Sequence, residues 1–324
     1  MKMLKETKGI TLIALIITII ILLILAVVTI MAVNGDGIIS KAKQAKTEYQ
    51  NAQAEEQNVL DKYLVEMEGI LGNNTSIGDN TLPEVENPEE DKELILKTEP
   101  YVGYYADVNS DGTVDGVIYA DLAIGNIGDG QWTDNDGNYT INKIEDVKDY
   151  YISQTNYEGT FGTKDVLCAT GDGNERFYVM ALEDFNPGTY YCWYDAAYEN
   201  MSDYATATSE DFGTGKQNTL NMIEKWNNKA YGAQNDNGTY KDMWGEIQTK
   251  VNEGWFVPSQ GEWSAFGEEL GITIENYTSK NLSNYYWSSS QINAYAACNA
   301  RFNNGYMDGS RVYGNYCVRL GTTF

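Results

Sequence analysis

From Ile10 to Val33 the chain carries 24 consecutive residues without a charge, almost all of them apolar. At about 1.5 Å per residue a helix of this length spans roughly 36 Å, enough to cross the hydrocarbon core of a bilayer. A cleaved secretory signal fits poorly, because its apolar part is only about 7–15 residues long and ends at a small-residue site. A core helix fits worse, since nothing polar interrupts the run. Lys2, Lys5 and Lys8 precede it against one acid, Glu6, and basic residues before a span stay on the cytoplasmic side. The expectation is one N-terminal membrane helix with the rest of the chain outside the cell.

Residues 38–70 are rich in Ala, Gln, Glu and Lys, which are good helix formers. Ile38, Ile39, Ala42, Ala45, Tyr49, Ala52, Val59, Leu60, Tyr63 and Leu64 recur mostly at spacings of three and four. Residues 10–71 are thus expected as a membrane helix prolonged into an amphipathic stalk, although a solvated spacer helix carries the same pattern. Residues 72–98 hold Gly72, Gly78, Pro83, Pro88 and the acidic run from Glu84 to Glu93, the composition of a flexible linker.

The outer domain, residues 99–324, reads as α+β. Helices are predicted over Gly215–Lys229, with Leu220, Ile223 and Trp226 on one face, and over Tyr240–Val251. A third, Ser259–Leu270, opens with a Ser259/Glu262 capping box and stops at Gly271. Strands are predicted at Thr113–Ala120, Arg176–Leu182, Thr189–Tyr194, Trp255–Pro258, Tyr286–Ser289 and Tyr316–Leu320.

Composition removes several functions. The chain has 324 residues, a formal charge of −25 and no histidine. A His-based triad, a His-containing zinc site and a His-ligated haem are therefore impossible. So acidic a chain repels phosphate backbones, so no nucleic-acid partner is expected. Four cysteines are too few for a disulfide scaffold. In an exported domain Cys298–Cys317 or Cys168–Cys192 is the plain reading, although four cysteines allow three pairings. No carboxylate pair is marked by a motif, and the glycines from Gly125 to Gly130 lack the strand–turn–helix setting of a phosphate loop. The chain is not expected to be an enzyme.

One acidic turn has metal-ligand spacing. Asp107, Asn109, Asp111, Thr113 and Asp115 supply oxygens at positions 1, 3, 5, 7 and 9, with Gly112 at position 6, as a calcium loop needs. The acid at position 12 is missing, since that residue is Ile118, and Asp121 or water would have to complete the shell. A glycine-turned hairpin with solvated acids explains the same residues, so calcium stays open as a cofactor.

Two resemblances add to this reading. Lys8-Gly9-Ile10-Thr11-Leu12-Ile13, at the head of the apolar run, resembles the leader and cleavage site of type IV pilins and type II secretion pseudopilins. The resemblance covers about residues 1–70 and implies a leader over 1–9, with cleavage by a prepilin peptidase between Gly9 and Ile10. It also implies other pilin subunits as partners. The family carries Glu at its fifth mature position, where this chain has Ala14. That departure argues against a major pilin and leaves a minor or tip subunit, or a simple tethered protein.

The second lies in the last seventy residues. Val257-Pro258-Ser259 with Glu262-Trp263, then Trp287-Ser288-Ser289-Ser290-Gln291, then Tyr316-Cys317-Val318-Arg319-Leu320 frame a polar segment rich in Asn, Tyr and Arg. This arrangement resembles the variable proteins of diversity-generating retroelements. That likeness implies a C-type-lectin-like domain related to the formylglycine-generating enzymes, with a variable region at about 287–320. It implies diversified, ligand-contacting positions at Ile292, Ala294, Tyr295, Ala296, Arg301, Tyr306, Asp308, Ser310, Val312 and Tyr313. Adenine-directed substitution starts from Asn codons, and Asn293, Asn299, Asn303, Asn304 and Asn315 would be unmutated sites. Trp287, Phe302, Gly305, Val318 and Arg319 would be scaffold. The Glu-Pro-Asn and Gln-Pro-Asp motifs of calcium-dependent sugar binding are absent.

Together these readings describe a surface-displayed, membrane- or pilus-anchored adhesin or receptor. Its ligand is expected to be a protein or glycan on another cell, a host or a phage. The alternative is a minor pilin or pseudopilin with a structural role in a fibre.

Overall fold

The computed structural model describes residues 92–128 and 139–324. The apolar run, the stalk, Gly9 and Ile10 at the expected cleavage site, and the linker up to residue 91 lie outside the described residues. The strands are β1 (Tyr105–Ala106), β2 (Gly116–Asp121), β3 (Asn126–Ile127), β4 (Thr140–Ile141), β5 (Asp149–Gly159), β6 (Gly162–Thr170), β7 (Phe177–Ala181), β8 (Tyr285–Asn293), β9 (Ala296–Arg301), β10 (Tyr306–Arg311) and β11 (Gly321–Thr323). The helices are α1 (Tyr204–Ala207), α2 (Gly215–Asn227), α3 (Met243–Glu246), α4 (Gln248–Asn252) and α5 (Gln260–Glu269).

Two expectations are corrected here. The class is a β-rich sheet fold rather than α+β with a long N-terminal helix: among the described residues the longest helix, α2, has 13 residues. The expected localisation by a membrane-spanning helix is also overturned, since no helix among the described residues is long and apolar enough to cross a membrane. Membrane anchoring takes no part in the function proposed for the chain.

A six-stranded sheet runs in the order β11-β7-β2-β1-β6-β5, with β1 and β6 parallel and the other pairs antiparallel. A second sheet has the order β10-β9-β8, and β3 pairs with β4. Strand β2, GVIYAD, is buried at every position, as a strand covered on both faces must be. One face packs Ile118 with Leu167, Val179, Phe177 and Phe324. The other packs Val117 and Tyr119 with Trp263 and Phe266 of α5, with Tyr286 and Ala300 of the three-stranded sheet, and with Phe302 just beyond it. A third cluster joins Trp193, Met222, Trp244, Trp287, Val312 and Val318. Residues 93–96, expected as linker, run along β5: Leu94 bridges Tyr151, and the Ile95 N–H donates to Tyr150 O at 3.0 Å.

Helix α5 sits between the sheets, and its start is the predicted capping box. Ser259 Oγ accepts from the Glu262 N–H at 3.2 Å, and the Ser259 N–H donates to Glu262 Oε2 at 2.8 Å. The other oxygen, Oε1, accepts from the N–H groups of Gly213 (3.2 Å) and Gly215 (3.1 Å). One buried carboxylate therefore holds the starts of both α5 and α2, and a Cβ at Gly215 would lie 2.1 Å from Glu262 Oε2.

Burial pushes the Glu262 carboxyl up to about 7, against the hydrogen bonds from Ser259, Gly215 and Gly213. Between the ordinary carboxylate range near ~4.3 and pH 7, the folded protein then holds a proton that the unfolded chain releases. The stability this group contributes is full at acid pH and is lost as pH rises through 7. Glu262→Gln stays neutral at every pH, so the parent should lose melting temperature relative to it between pH 5 and pH 8. A parent that gains on the variant as pH rises would show the carboxyl ionised in the native state.

Candidate ligand-binding face

The register of β9 and β10 sorts the C-terminal segment into two faces. Tyr306 lies opposite Arg301, Asp308 opposite Asn299 and Ser310 opposite Ala297. Side chains alternate across a strand, so Arg301, Tyr306, Asp308 and Ser310 share one face. All four are half-buried. The intervening residues Cys298, Ala300 and Met307, with Phe302 just beyond β9, are buried at 1 % exposure or less in the core around Trp263.

A hydrogen-bonded net joins the outward face. Arg301 pairs with Asp308 at 2.6 Å and donates to Asn299 Oδ1 (3.1 Å) and Ser310 Oγ (3.2 Å). Asn299, itself fully buried, donates to Ser310 Oγ at 3.0 Å and to Asp308 O at 2.9 Å. Ser310 Oγ meets Tyr316 Oη at 2.9 Å, and Tyr316 stacks on Tyr285 at 5.3 Å. The net fixes the polar side chains without closing them off, as a preorganised contact surface requires.

Beside the net lies an exposed aromatic rim. Tyr295 is in the β8–β9 turn, Tyr313 follows β10, and Tyr198 follows a 3₁₀ turn at Asp195–Ala197; they are 37, 47 and 38 % exposed. Tyr198 lies 5.5 Å from Tyr313 and 6.3 Å from Tyr295, ring centre to ring centre. The Arg311 guanidinium stands over Tyr295 at 4.0 Å and over Tyr198 at 5.1 Å. Nothing in the sequence around Tyr198 ties it to this rim, and the expected set also left out Arg311, Tyr285 and Tyr316.

The remaining expected contact positions divide. Ala294 and Ile292 are half-buried, and Ile292 covers Gly309, where a Cβ would lie 2.8 Å from its Cδ1. Two are not surface at all. Val312 is fully buried with Trp193 and Trp287, and Ala296 is 7 % exposed. Both are removed from the contact set, because a larger side chain at either would have to enter the packed interior. Among the Asn positions, Asn299 works as the buried hub of the net.

The acidic turn is held together by its own backbone. Asp107 accepts the Asp111 and Gly112 N–H groups (3.1 and 2.8 Å), Asp111 accepts that of Thr113 (2.8 Å), and Asp115 accepts that of Val108 (2.7 Å). The Asn109 side-chain oxygen takes the Asp111 N–H at 3.1 Å. Hydrogen bonds from Thr113 hold the Asp111 carboxyl down, while burial and then the charges of Asp107 and Asp111 push Asp115 up. Asp121, the candidate for completing a shell, is bound through both oxygens to Arg176 at 2.8 Å each. Among the described residues no group of three or more acidic or thiol side chains is placed to hold a metal ion.

The cysteine pairings are corrected as well: none of the four cysteines is in a disulfide, and all four are buried. Cys298 is in β9 and Cys317 bridges Tyr286 of β8. With β8 between them, their backbones stand about two strand spacings, roughly 10 Å, apart, beyond the ~7 Å reach of a disulfide. Cys192 hydrogen-bonds Asn315 Oδ1 at 3.3 Å, and burial pushes its thiol up to about 12.

The clefts lie elsewhere. One of about 490 Å³, lined by Asp115, Tyr157, Asp184, Lys250 and Trp255 among others, shares no residue with the face. No protein-family model matches the sequence, and no curated protein matches it. Among solved structures, the chain is similar to a fimbrial protein from Bacteroides ovatus ATCC 8483, at 15 % identity and a TM-score of 0.32. The alignment covers 46 % of this chain and 36 % of that one. The chain thus spans little more than a third of that protein, and a likeness this loose carries no argument about fold or role.

Proposed function

We propose that the chain is a ligand-binding protein of the adhesin or receptor kind. Its recognition surface is the outward face of β9 and β10 with the adjoining tyrosine rim, diversified at retroelement-targeted positions on a C-type-lectin-like domain. The ligand is a protein or glycan on another cell, a host or a phage. One observation carries the reading: Arg301, Tyr306, Asp308 and Ser310 share a face, while their strand neighbours Cys298, Ala300 and Met307 form core. A domain with that partition can vary Tyr306 and the rim tyrosines at little cost to its packing, while Arg301 and Ser310, which also hydrogen-bond the buried Asn299, tie part of the face to the interior. Tyr and Arg at the face are the residue types that dominate protein contact energies.

The test is to sequence the 3′ end of the gene from many cells of one population. Substitutions should concentrate at codons 295, 301, 306, 308, 310 and 313. The codons for Trp263, Trp287, Ala296, Phe302, Val312 and Arg319, all at most 7 % exposed, should stay fixed. A uniform segment, or variation that reaches equally into the buried codons, would remove the diversified-face reading.

A further inference from the structure

Arg311 sets a chemical demand on the ligand. The chain has four arginines and 47 acidic residues. Three of the arginines are ion-paired: Arg176 with Asp121, Arg301 with Asp308 and Arg319 with Asp184. Arg311 is exposed, and among the described residues its guanidinium makes neither an ion pair nor a hydrogen bond. It is nevertheless held in place, because Tyr295 and Tyr198 both lie within cation–π range of it. Stacking engages the flat faces of a guanidinium and leaves its N–H edge free. That edge is a fork matched to a carboxylate.

We infer that Arg311, with Tyr198, Tyr295 and Tyr313, forms a carboxylate-binding subsite of the proposed recognition face and takes an Asp or Glu side chain of a protein ligand. The inference rests on that face being the binding surface. Charge complementarity selects the anion: an unpaired, immobilised cation on so acidic a chain gains most from a partner's carboxylate. The three exposed rings select a protein segment, since they offer a flat apolar surround for a neighbouring aliphatic or aromatic side chain. A small acid alone would leave that surround unused.

The test presents the full chain with a random-peptide library and remeasures the enriched peptides against variants. Enriched peptides should carry Asp or Glu beside an apolar residue. Arg311→Ala should weaken them by on the order of tenfold or more, and Asp→Asn or Glu→Gln in the peptide should weaken them equally. Arg311→Lys should recover only part of the loss, because an ammonium cannot stack flat or bind in two-pronged fashion. Peptides that lose binding to Tyr306→Ala but bind Arg311→Ala unchanged would keep the face and overturn the subsite. Sialylated or uronate-bearing oligosaccharides that bind through Arg311 where peptides do not would overturn the protein ligand. If no selected peptide responds to Tyr306→Ala or Arg311→Ala, the face and the subsite both fall.

Discussion

Asp121→Ala should destabilise the domain by about 3–5 kcal/mol, the usual cost of leaving one member of a buried ion pair without its partner. The side chains of Arg176 and Asp121 are 1 % and 2 % exposed. Both Asp121 oxygens accept from the guanidinium at 2.8 Å, and Arg176 also donates to Leu96 O and Glu99 O at 3.1 and 2.7 Å. Tyr101 and Phe177 lie against its charged head. Without Asp121 a full positive charge stays inside with two carbonyls for company. Arg176→Met should cost less, because Asp121 would keep the N–H groups of Tyr101 and Ala123. Urea unfolding of both variants measures the difference. A cost below about 1 kcal/mol for Asp121→Ala would mean that water reaches the guanidinium and that the pair does not pin residues 96–101 to the sheet.

That pair also marks where the sequence was legible and where it was not. Elements set by local chemistry were readable. The Ser259/Glu262 box starts α5 because a hydroxyl and a carboxylate three residues apart can satisfy each other's backbone, and that needs no tertiary information. Strands β2 and β7 showed as short apolar runs. The long β5–β6 hairpin did not, because its outer half is polar and exposed on both faces and has no apolar alternation to read. The helix expected over Tyr240–Val251 breaks at Ile247 into α3 and α4. Leu220, expected on the buried face of α2, is 46 % exposed, and Asn218, Thr219 and Met222 pack there instead. Polar residues with buried partners, such as Asn218 on Ser289, displaced the apolar periodicity.

The candidate face divides in the same way. A period of two over residues 306–310 places Tyr306, Asp308 and Ser310 together, so most of the face follows from strand geometry. Val312 lies just past the end of β10, where this side of the sheet closes against Trp193 and Trp287 as it already does at Ala297 opposite Ser310, and it enters that core. Tyr198 joins the rim only because the chain between β7 and α2 folds back over the β8–β9 turn, and no spacing in the sequence carries that. The role of Asp121 likewise depended on Arg176, a residue 55 positions away.

The sharpest contrast should come between support and display. Trp263→Ala is expected to cost about 3–5 kcal/mol, whereas Tyr306→Ala should stay within about 0.5 kcal/mol of the parent. Trp263 is 1 % exposed, stacks on Tyr286 at 5.0 Å, meets Phe266 and Phe302 edge-on, and donates its indole N–H to Trp287 O at 3.2 Å. It therefore joins α5 to β8 and to the end of β9, directly behind Arg301. Truncation opens a cavity and leaves the Trp287 carbonyl without its donor. Tyr306, on the opposite face of the same small sheet, is half-buried and belongs to none of the buried clusters. Denaturant melts give the two stabilities, and binding of one selected peptide gives the two affinities. Trp263→Ala protein that remains folded should bind weakly because the sheet has lost its backing. Tyr306→Ala should lose affinity at unchanged stability. Equal stability losses at both positions would mean that the face is itself part of the core, and such a face could not change its residues without unfolding the domain that presents them.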